Sequence, residues 1–237
     1  MRKGCGGVRP VSVAECGFAV RDEVTNHNRR RKTIRVESPE IYRLPHIQSF
    51  PPVENPGATI LILGSMPGKE SLRARQYYAH PRNAFWTIMG DLFGAAPALP
   101  YEARIQILKS AGIALWDVLA SCTRHTSMDA DIGADSIRVN DFVAFFGRHP
   151  GITQVFFNGT LAESVFCKHV RPCLEPRLPD CRRLPSTSPA YASMRYEQKL
   201  GAWKAVLEAS PPGIRQAREA KLTTPVFFRS PRQPKPF

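Results

Sequence analysis

Residues 58–86, which read ATILILGSMPGKESLRARQYYAHPRNAFW, decide the fold. The apolar run 58–63 predicts a buried strand, and 64–68 predicts a turn at its end. A polar segment with two tyrosines, a His-Pro pair and an asparagine follows, and we expect it to be a long loop before a helix. Because ligands bind where loops leave the carboxyl ends of strands in α/β sheets, this stretch predicts a binding site.

The spacing of this turn excludes a phosphate-binding P-loop, which needs G-x-x-x-x-G-K-[ST]. The gap between Gly64 and Gly68 is one residue short, and Glu70 stands where a metal-binding hydroxyl is required. Pro67 also removes one backbone N–H from the nest that would hold an anion.

Beyond this stretch, predicted strands and helices alternate along the chain. The alternation predicts an α/β fold, with a parallel sheet covered by helices on both faces. The predicted strands are 58–63, 113–119, 153–157 and 182–185; the predicted helices are one after Asn83 with Phe85, Ile88, Met89 and Leu92 on one face, then 101–111, 141–146 with Asn140 as its cap, 160–170 and 193–208.

The net charge of +13 predicts a polyanionic partner such as nucleic acid. Ten basic and five acidic residues lie in 1–50, and six basic and one acidic in 211–237, so 51–210 carries only +3. We therefore expect a flexible basic extension over 1–44, a catalytic domain over 45–210 and a proline-rich, disordered basic tail over 211–237. Solvated tails and dedicated DNA-binding arms both fit this charge distribution.

Cysteine spacing and hydropathy bear on cofactors and location. The six cysteines form no C-x-x-C pair, so we predict no zinc site, no iron–sulfur cluster and no other cofactor. No stretch reaches the roughly 18 apolar residues that a membrane span needs. We expect a cytoplasmic monomer with reduced thiols that does not bind membranes.

Five sequence blocks carry a resemblance to a known family. They are GSMPG-x-x-SL followed by YY-x-HPRN-x-FW at 64–86, then WDVL-x-SC-x-R at 116–124, FFNG at 156–159 and LPSTSPA at 184–190. In this order they resemble the uracil-DNA glycosylase superfamily, specifically its hypoxanthine-DNA (deoxyinosine) glycosylase branch. The resemblance implies a three-layer αβα sandwich with a short, mostly parallel central sheet.

Asn83 and Asn158 are the candidate catalytic residues. Taken alone, Asn83 is more simply a preferred N-cap of the helix that follows it, and Asn158-Gly159 is as readily an ordinary turn after a strand. An amide offers one acceptor and two donors, which suits both holding a water and reading the edge of a base. The resemblance implies that Asn83 positions the attacking water and that Asn158 contacts the extruded base and contributes to catalysis.

The same resemblance assigns a base pocket to Gly64, Ser65, Met66, Tyr78 and Asn158. Several branches of the superfamily have Asp or Asn where Met66 stands. Because methionine offers neither a base nor a strong donor, this favours the deoxyinosine branch over a general uracil glycosylase. Tyr78 is the candidate surface on which a flipped base stacks, whereas Phe85 and Trp86 are expected to pack in the core.

The hydroxyl-rich loop at 186–188 has two interpretations. It is either a turn that caps the last helix or a loop that holds DNA phosphates through Ser186, Thr187 and Ser188, as the resemblance implies. Tyr191 stands where the family places a wedge residue that enters the duplex. His125, Asp129 and Asp131 receive no role, since polar loop residues are usually solvated.

Together these features predict a monofunctional glycosylase that flips hypoxanthine out of double-stranded DNA and hydrolyses its N-glycosidic bond, in base excision repair. A glycosylase for uracil or another deaminated base is the alternative among enzymes. A DNA-binding protein without catalytic activity, with salt-sensitive affinity, is the alternative from another class. A small-molecule hydrolase on the same scaffold also stays open, because fold does not fix function.

Overall fold

The computed structural model describes residues 45–176 and 178–223. The strands are β1 (His46–Gln48), β2 (Ile60–Gly64), β3 (Ile113–Asp117), β4 (Leu119–Thr123), β5 (Arg138–Val139), β6 (Gln154–Asn158) and β7 (Asp180–Leu184). The helices are α1 (Lys69–Ala74), α2 (Phe85–Phe93), α3 (Tyr101–Ser110), α4 (Phe142–Arg148), α5 (Thr160–His169), α6 (Arg171–Leu174), α7 (Tyr196–Glu208) and α8 (Pro212–Thr223). None of the helices in these two ranges is long and apolar enough to span a membrane.

The central sheet has the strand order β3-β2-β6-β7, and all its neighbours run parallel. Along β2 the side chains alternate between the two faces. Ile60 and Ile62 join a core with α2, α3 and α7, whereas Leu61 and Leu63 join a second core with α4 and α5. The predicted three-layer α/β architecture is therefore confirmed.

A second, antiparallel sheet was not predicted. It has the strand order β1-β4-β5. The single strand predicted over 113–119 is therefore divided between two sheets, with β3 in the central sheet and Leu119 at the start of β4. That strand divides at Val118, whose N–H donates to the carbonyl of Gly64, while the N–H of Leu119 donates to the carbonyl of Ser65. The chain thus turns past the end of β2 and leaves the central sheet.

Residues 49–53 lie along the free edge of β3. Val53 forms an antiparallel bridge with Leu115, and the N–H of Ser49 donates to the carbonyl of Ala120. This segment covers an otherwise unpaired strand edge and brings Ser49 beside the carboxyl end of β3.

Several local predictions were wrong. The predicted loop after residue 68 contains helix α1, and the cap of α4 is Asp141, whose carboxylate accepts from the N–H of Ala144 at 2.9 Å. Asn140 instead donates from its side chain to the carbonyl of Asp117 at 2.8 Å.

The structure tests only part of the two predicted tails, 1–44 and 211–237. The tail predicted from residue 211 is wrong at its start, because Pro212 begins helix α8, where a missing N–H costs nothing. Ile214 of this helix packs against the core that contains α2 and α3. The predicted extension 1–44 and the end of the tail, 224–237, lie outside the described residues.

Candidate functional site

A cleft of about 870 Å³ opens at the carboxyl ends of β2, β3 and β6. Its walls come from the turn after β2, the segment before α2, the β4–β5 loop, the start of α5 and the loop between β7 and α7. Every candidate site residue from the sequence borders this cleft: Gly64, Ser65, Met66, Tyr78, Asn83, Asn158, Ser186, Thr187, Ser188 and Tyr191.

Asn83 lies just before α2 and borders the cleft. Its Oδ1 accepts from the N–H of Phe85 at 3.0 Å, so the side chain satisfies one free N–H at the start of the helix, from the position before the N-cap Ala84. Its own N–H donates to the carbonyl of His80 at 2.8 Å, which fixes the backbone before the helix. Within the described residues its Nδ2 makes no hydrogen bond, so both amide donors are available to a ligand or water in the cleft.

Asn158 ends β6 and is bound to Thr187 in both directions. Its Nδ2 donates to the hydroxyl of Thr187 at 2.9 Å, and its Oδ1 accepts from the N–H of Thr187 at 2.8 Å. The carbonyl of Thr187 in turn accepts from the N–H of Ala84 at 3.0 Å. Thr187 therefore links β6 to the start of α2 and orients the amide of Asn158.

This geometry corrects the prediction that Thr187 contacts a DNA phosphate. Thr187 is 1% exposed, and its hydroxyl already accepts from Asn158. Ser186 and Ser188 are half-buried, and each hydroxyl accepts only a nearby backbone N–H. Because Ser186 and Ser188 are less buried than Thr187, they remain the predicted phosphate contacts.

Tyr78 is half-buried and adopts a left-handed backbone conformation, with φ of 54°. Its ring stacks on Phe85, with centroids 4.0 Å apart. Its hydroxyl is buried and lies beside the side chain of Asn158, without a hydrogen bond of good geometry in the described part of the chain. Burial, followed by the nearby charge of Asp117, raises the pKa of Tyr78, so this phenol remains neutral. Phe85 and Trp86 are buried in the core, as predicted.

Met66 is buried and packs with Leu63 and Trp116, so this part of the wall is apolar. Next to it, the hydroxyl of Ser65 donates to Asp129 at 2.8 Å. Asp129 was expected to be an ordinary solvated residue, but this contact ties its loop to the turn after β2. The N–H of Lys69 reinforces the link by donating to the hydroxyl of Ser127 at 2.9 Å.

Asp117 is the residue that sequence reasoning missed. It ends β3 on the cleft wall and is 3% exposed. Burial raises the pKa of its carboxyl to about 7, against the opposing effects of the Ser49 hydroxyl and Arg124. A buried titratable group with a strongly shifted pKa is typical of functional sites. The available signal was an acidic residue directly after the apolar run 113–116.

Tyr191 and Lys69 lie at the rim of the cleft. Tyr191 is 38% exposed; its carbonyl accepts from Lys199 Nζ at 2.7 Å, and that ammonium lies 5.1 Å from the centre of its ring. These contacts hold an aromatic side chain at the mouth of the cleft, where a wedge was predicted. Lys69 is also at the rim and exposed.

The fold and cleft define an α/β protein with a ligand site of amide, phenol and carboxyl groups at the carboxyl ends of parallel strands. The family model of the uracil DNA glycosylase superfamily matches residues 51–208. The chain belongs to the uracil DNA glycosylase superfamily.

Two curated relatives carry the name hypoxanthine DNA glycosylase. The protein from Methanosarcina barkeri is 40% identical over 113 residues, which are 47% of this chain and 70% of the relative. The protein from Methanosarcina acetivorans is 35% identical over 161 residues, which are 67% of this chain and 96% of the relative.

A solved structure extends the likeness to three dimensions. The NMR structure of a proposed uracil DNA glycosylase from Methanosarcina acetivorans superimposes with a TM-score of 0.58 at 32% identity. The match covers 73% of this chain and 98% of that chain, so nearly the whole of the smaller protein is represented here.

Proposed function

We propose that this protein is a monofunctional DNA glycosylase that excises hypoxanthine from double-stranded DNA, by base flipping and hydrolysis of the N-glycosidic bond. The observation that carries the proposal is the convergence of Asn83, Asn158 and Tyr78 on one cleft with an apolar wall at Met66. The names of the two curated relatives support the choice of hypoxanthine.

In this mechanism the flipped base enters the cleft and stacks near Tyr78. The remaining Nδ2 hydrogen of Asn158 donates to the edge of the base, and together with the backbone of 64–68 it stabilises negative charge on the departing purine. The glycosidic bond breaks through an oxocarbenium-like state, and a water held by Asn83 captures the sugar.

Contacts with DNA follow from the rim of the cleft. The hydroxyls of Ser186 and Ser188 bind phosphates next to the flipped nucleotide, and Tyr191 enters the duplex in its place. The protein acts as a monomer on DNA that contains deoxyinosine, and the excess positive charge of the full chain adds a salt-dependent attraction.

The test uses labelled duplexes that each contain one hypoxanthine, uracil or xanthine, with strand breaks scored before and after alkali. Alkali-dependent breaks at hypoxanthine that disappear in Asn83→Ala support the proposal. Breaks only at uracil move the protein to a sister activity, which the name of the Methanosarcina structure makes the second candidate.

Lys69 supplies the control for the monofunctional mechanism, since a lysine amine at a glycosylase site is a potential Schiff-base nucleophile. Breaks without alkali that vanish in Lys69→Ala would show a lyase step and contradict the monofunctional assignment. Retention of full activity by Asn83→Ala would contradict the proposed water-positioning role.

A further inference from the structure

The floor of the cleft contains a carboxyl group with one oxygen held and the other free. Asp117 Oδ2 accepts from the Ser49 hydroxyl at 2.8 Å. Oδ1 receives no hydrogen bond from the residues that the structure describes. It lies against Gly64, where an added Cβ would come within 2.4 Å of it. The free oxygen therefore faces a cleft that has no side chain at Gly64.

Placing a carboxyl group here is costly, because Asp117 is 3% exposed and burial of a charge is unfavourable. Packing alone would be served equally well by an apolar side chain. The position is compatible with ionisation near neutral pH, since burial raises the pKa of Asp117 only to about 7. The cost points to a ligand that supplies the missing donor.

The charged and titratable groups around Asp117 come from the β4–β5 loop, from the segment between α1 and α2, and from Tyr101 at the start of α3. The guanidinium of Arg124, after β4, favours the carboxylate, whereas Asp129 in the β4–β5 loop disfavours it. The phenols of Tyr77 and Tyr78 face it from the segment between α1 and α2 and remain neutral, because burial raises both pKa values. Arg124 is fully buried and donates to the carbonyl of Pro67, so this positive charge is fixed.

The register of the sheet places a donor opposite this acceptor. Gly64 of β2 pairs with Asp117 of β3, and Leu63 pairs with Phe157 of β6, so Asn158 follows at the level of Gly64. The strands on either side of β2 are about 10 Å apart, and residues at one level of a parallel sheet point to the same face. The missing side chain at Gly64 leaves room beside Asp117 Oδ1, and the Tyr78 hydroxyl borders the same space next to Asn158.

Asn158 has one suitable hydrogen left. Its Oδ1 and one Nδ2 hydrogen are bound to Thr187, which leaves the second Nδ2 hydrogen for a ligand. The floor of the cleft thus offers one acceptor, Asp117 Oδ1, and one donor, Asn158 Nδ2.

We propose that Asp117 and Asn158 together select the lactam edge of a flipped base, with Asp117 Oδ1 accepting the ring N–H and Asn158 Nδ2 donating to the adjacent carbonyl. This inference rests on the proposed function and specifies its substrate class: deaminated bases that carry N–H beside C=O, such as hypoxanthine, xanthine and uracil. Asp117 is then a base-contacting residue.

The same arrangement rejects adenine. Adenine presents an amino donor and a ring acceptor in the reverse order. Its amino donor would face the Nδ2 donor of Asn158, and its ring acceptor would face Asp117 Oδ1. Buried mispaired groups of this kind give strong discrimination. Guanine shares the lactam edge, but its stable pair with cytosine disfavours extrusion.

The decisive experiment compares duplexes that contain hypoxanthine or nebularine, a purine that lacks both the carbonyl and the ring N–H. Excision is measured under single-turnover conditions, and binding is measured on the same duplexes with a 2′-fluoro group that blocks cleavage. We expect Asp117→Asn to reduce the preference for hypoxanthine over nebularine about tenfold or more in both measurements, because an amide whose oxygen keeps the Ser49 bond presents its Nδ2 donor to the ring N–H. The matched control is Asp141→Asn, which makes the same change on the surface and retains a good helix cap.

The outcomes separate this inference from the proposed function. Loss of preference in Asp117→Asn supports the inference. If the wild type binds hypoxanthine selectively but excises no base, the proposed function is contradicted, whereas the inference can still be tested by binding. An equal decrease on both duplexes, or an unchanged preference, would show a structural role and overturn the inference. Equal binding of the two duplexes by the wild type would also overturn it.

The pH profile gives a second readout, because an ionised Asp117 is the better acceptor. We expect hypoxanthine excision by the wild type to rise with pH through the titration of Asp117, and this rise to be absent from Asp117→Asn. A rate that instead falls with pH over this range, in a manner that requires Asp117, would identify a proton donor and contradict the acceptor role.

Discussion

Asn158 and Thr187 exchange two hydrogen bonds, and only one of them involves the threonine hydroxyl. The other uses the backbone N–H of Thr187, which a substitution of the side chain leaves in place. A substitution at Thr187 can therefore change the orientation of the Asn158 amide while the loop keeps its position. Thr187→Val keeps the side-chain volume and the backbone bond but removes the acceptor for Asn158 Nδ2.

For Thr187→Val we expect the free energy of unfolding to fall by about 1–2 kcal/mol, because a buried donor loses its partner. Excision should slow by about 10- to 100-fold as the amide loses its fixed orientation. Chemical denaturation and single-turnover kinetics provide the two values. Thr187→Ser should retain most of both, and equal behaviour of the Val and Ser variants would contradict this role of the hydroxyl.

Asn83 allows the helix cap to be separated from catalysis. Asn83→Ala should slow excision by about 100-fold or more and cost about 1 kcal/mol of stability. Asn83→Ser should recover the stability, because serine is also a good cap, while excision stays low. Recovery of excision along with stability would show that Asn83 acts only through the helix.

Gly64→Ala tests how tightly the floor of the cleft is built. The added methyl group would lie 2.4 Å from Asp117 Oδ1 and 3.1 Å from the hydroxyl of Tyr78. Both neighbours are buried, so we expect a loss of about 1–3 kcal/mol in stability and a loss of excision. Gly201→Ala is the control outside the cleft, since no atom lies within 4 Å of an added Cβ there. Similar effects of the two substitutions would contradict this account of the floor.

Asp117 also predicts a pH dependence of stability. Its folded pKa of about 7 lies above the ordinary value of 3.8, so the folded state binds the proton more strongly than the unfolded state. This contribution is fully present below about pH 4 and is lost as pH rises through about 7, by up to about 4 kcal/mol. Asp117→Asn carries no such charge, so its advantage over the wild type should grow with pH.

Urea unfolding of both proteins at about pH 5 and about pH 8 measures this difference. A variant less stable than the wild type at the higher pH would show that the carboxylate is stabilised in the fold. A more stable Asp117→Asn variant would separate stability from activity, since the same substitution should reduce recognition of the flipped base.

The sequence predicted the site residues whose place next to a helix or strand can be recognised from the local sequence pattern. Asn83 precedes a periodic helix and Asn158 ends an apolar strand, so both could be assigned to the carboxyl edge of the sheet. Asp117 could not be assigned in this way, because its environment depends on register with Gly64 and on the return of Ser49 along β3. Thr187 was misjudged because hydroxyl residues in loops are usually exposed, and only tertiary packing buries this one.

The path of residues 46–53 affects how the protein can be shortened for experiments. A fragment cut to the matched family region, 51–208, would retain every strand of the central sheet and still lack Ser49, β1 and α8. Such a fragment would leave the edge of β3 partly uncovered and release one oxygen of Asp117. A substrate preference measured on that fragment would then be altered by the loss of the Ser49 contact with Asp117.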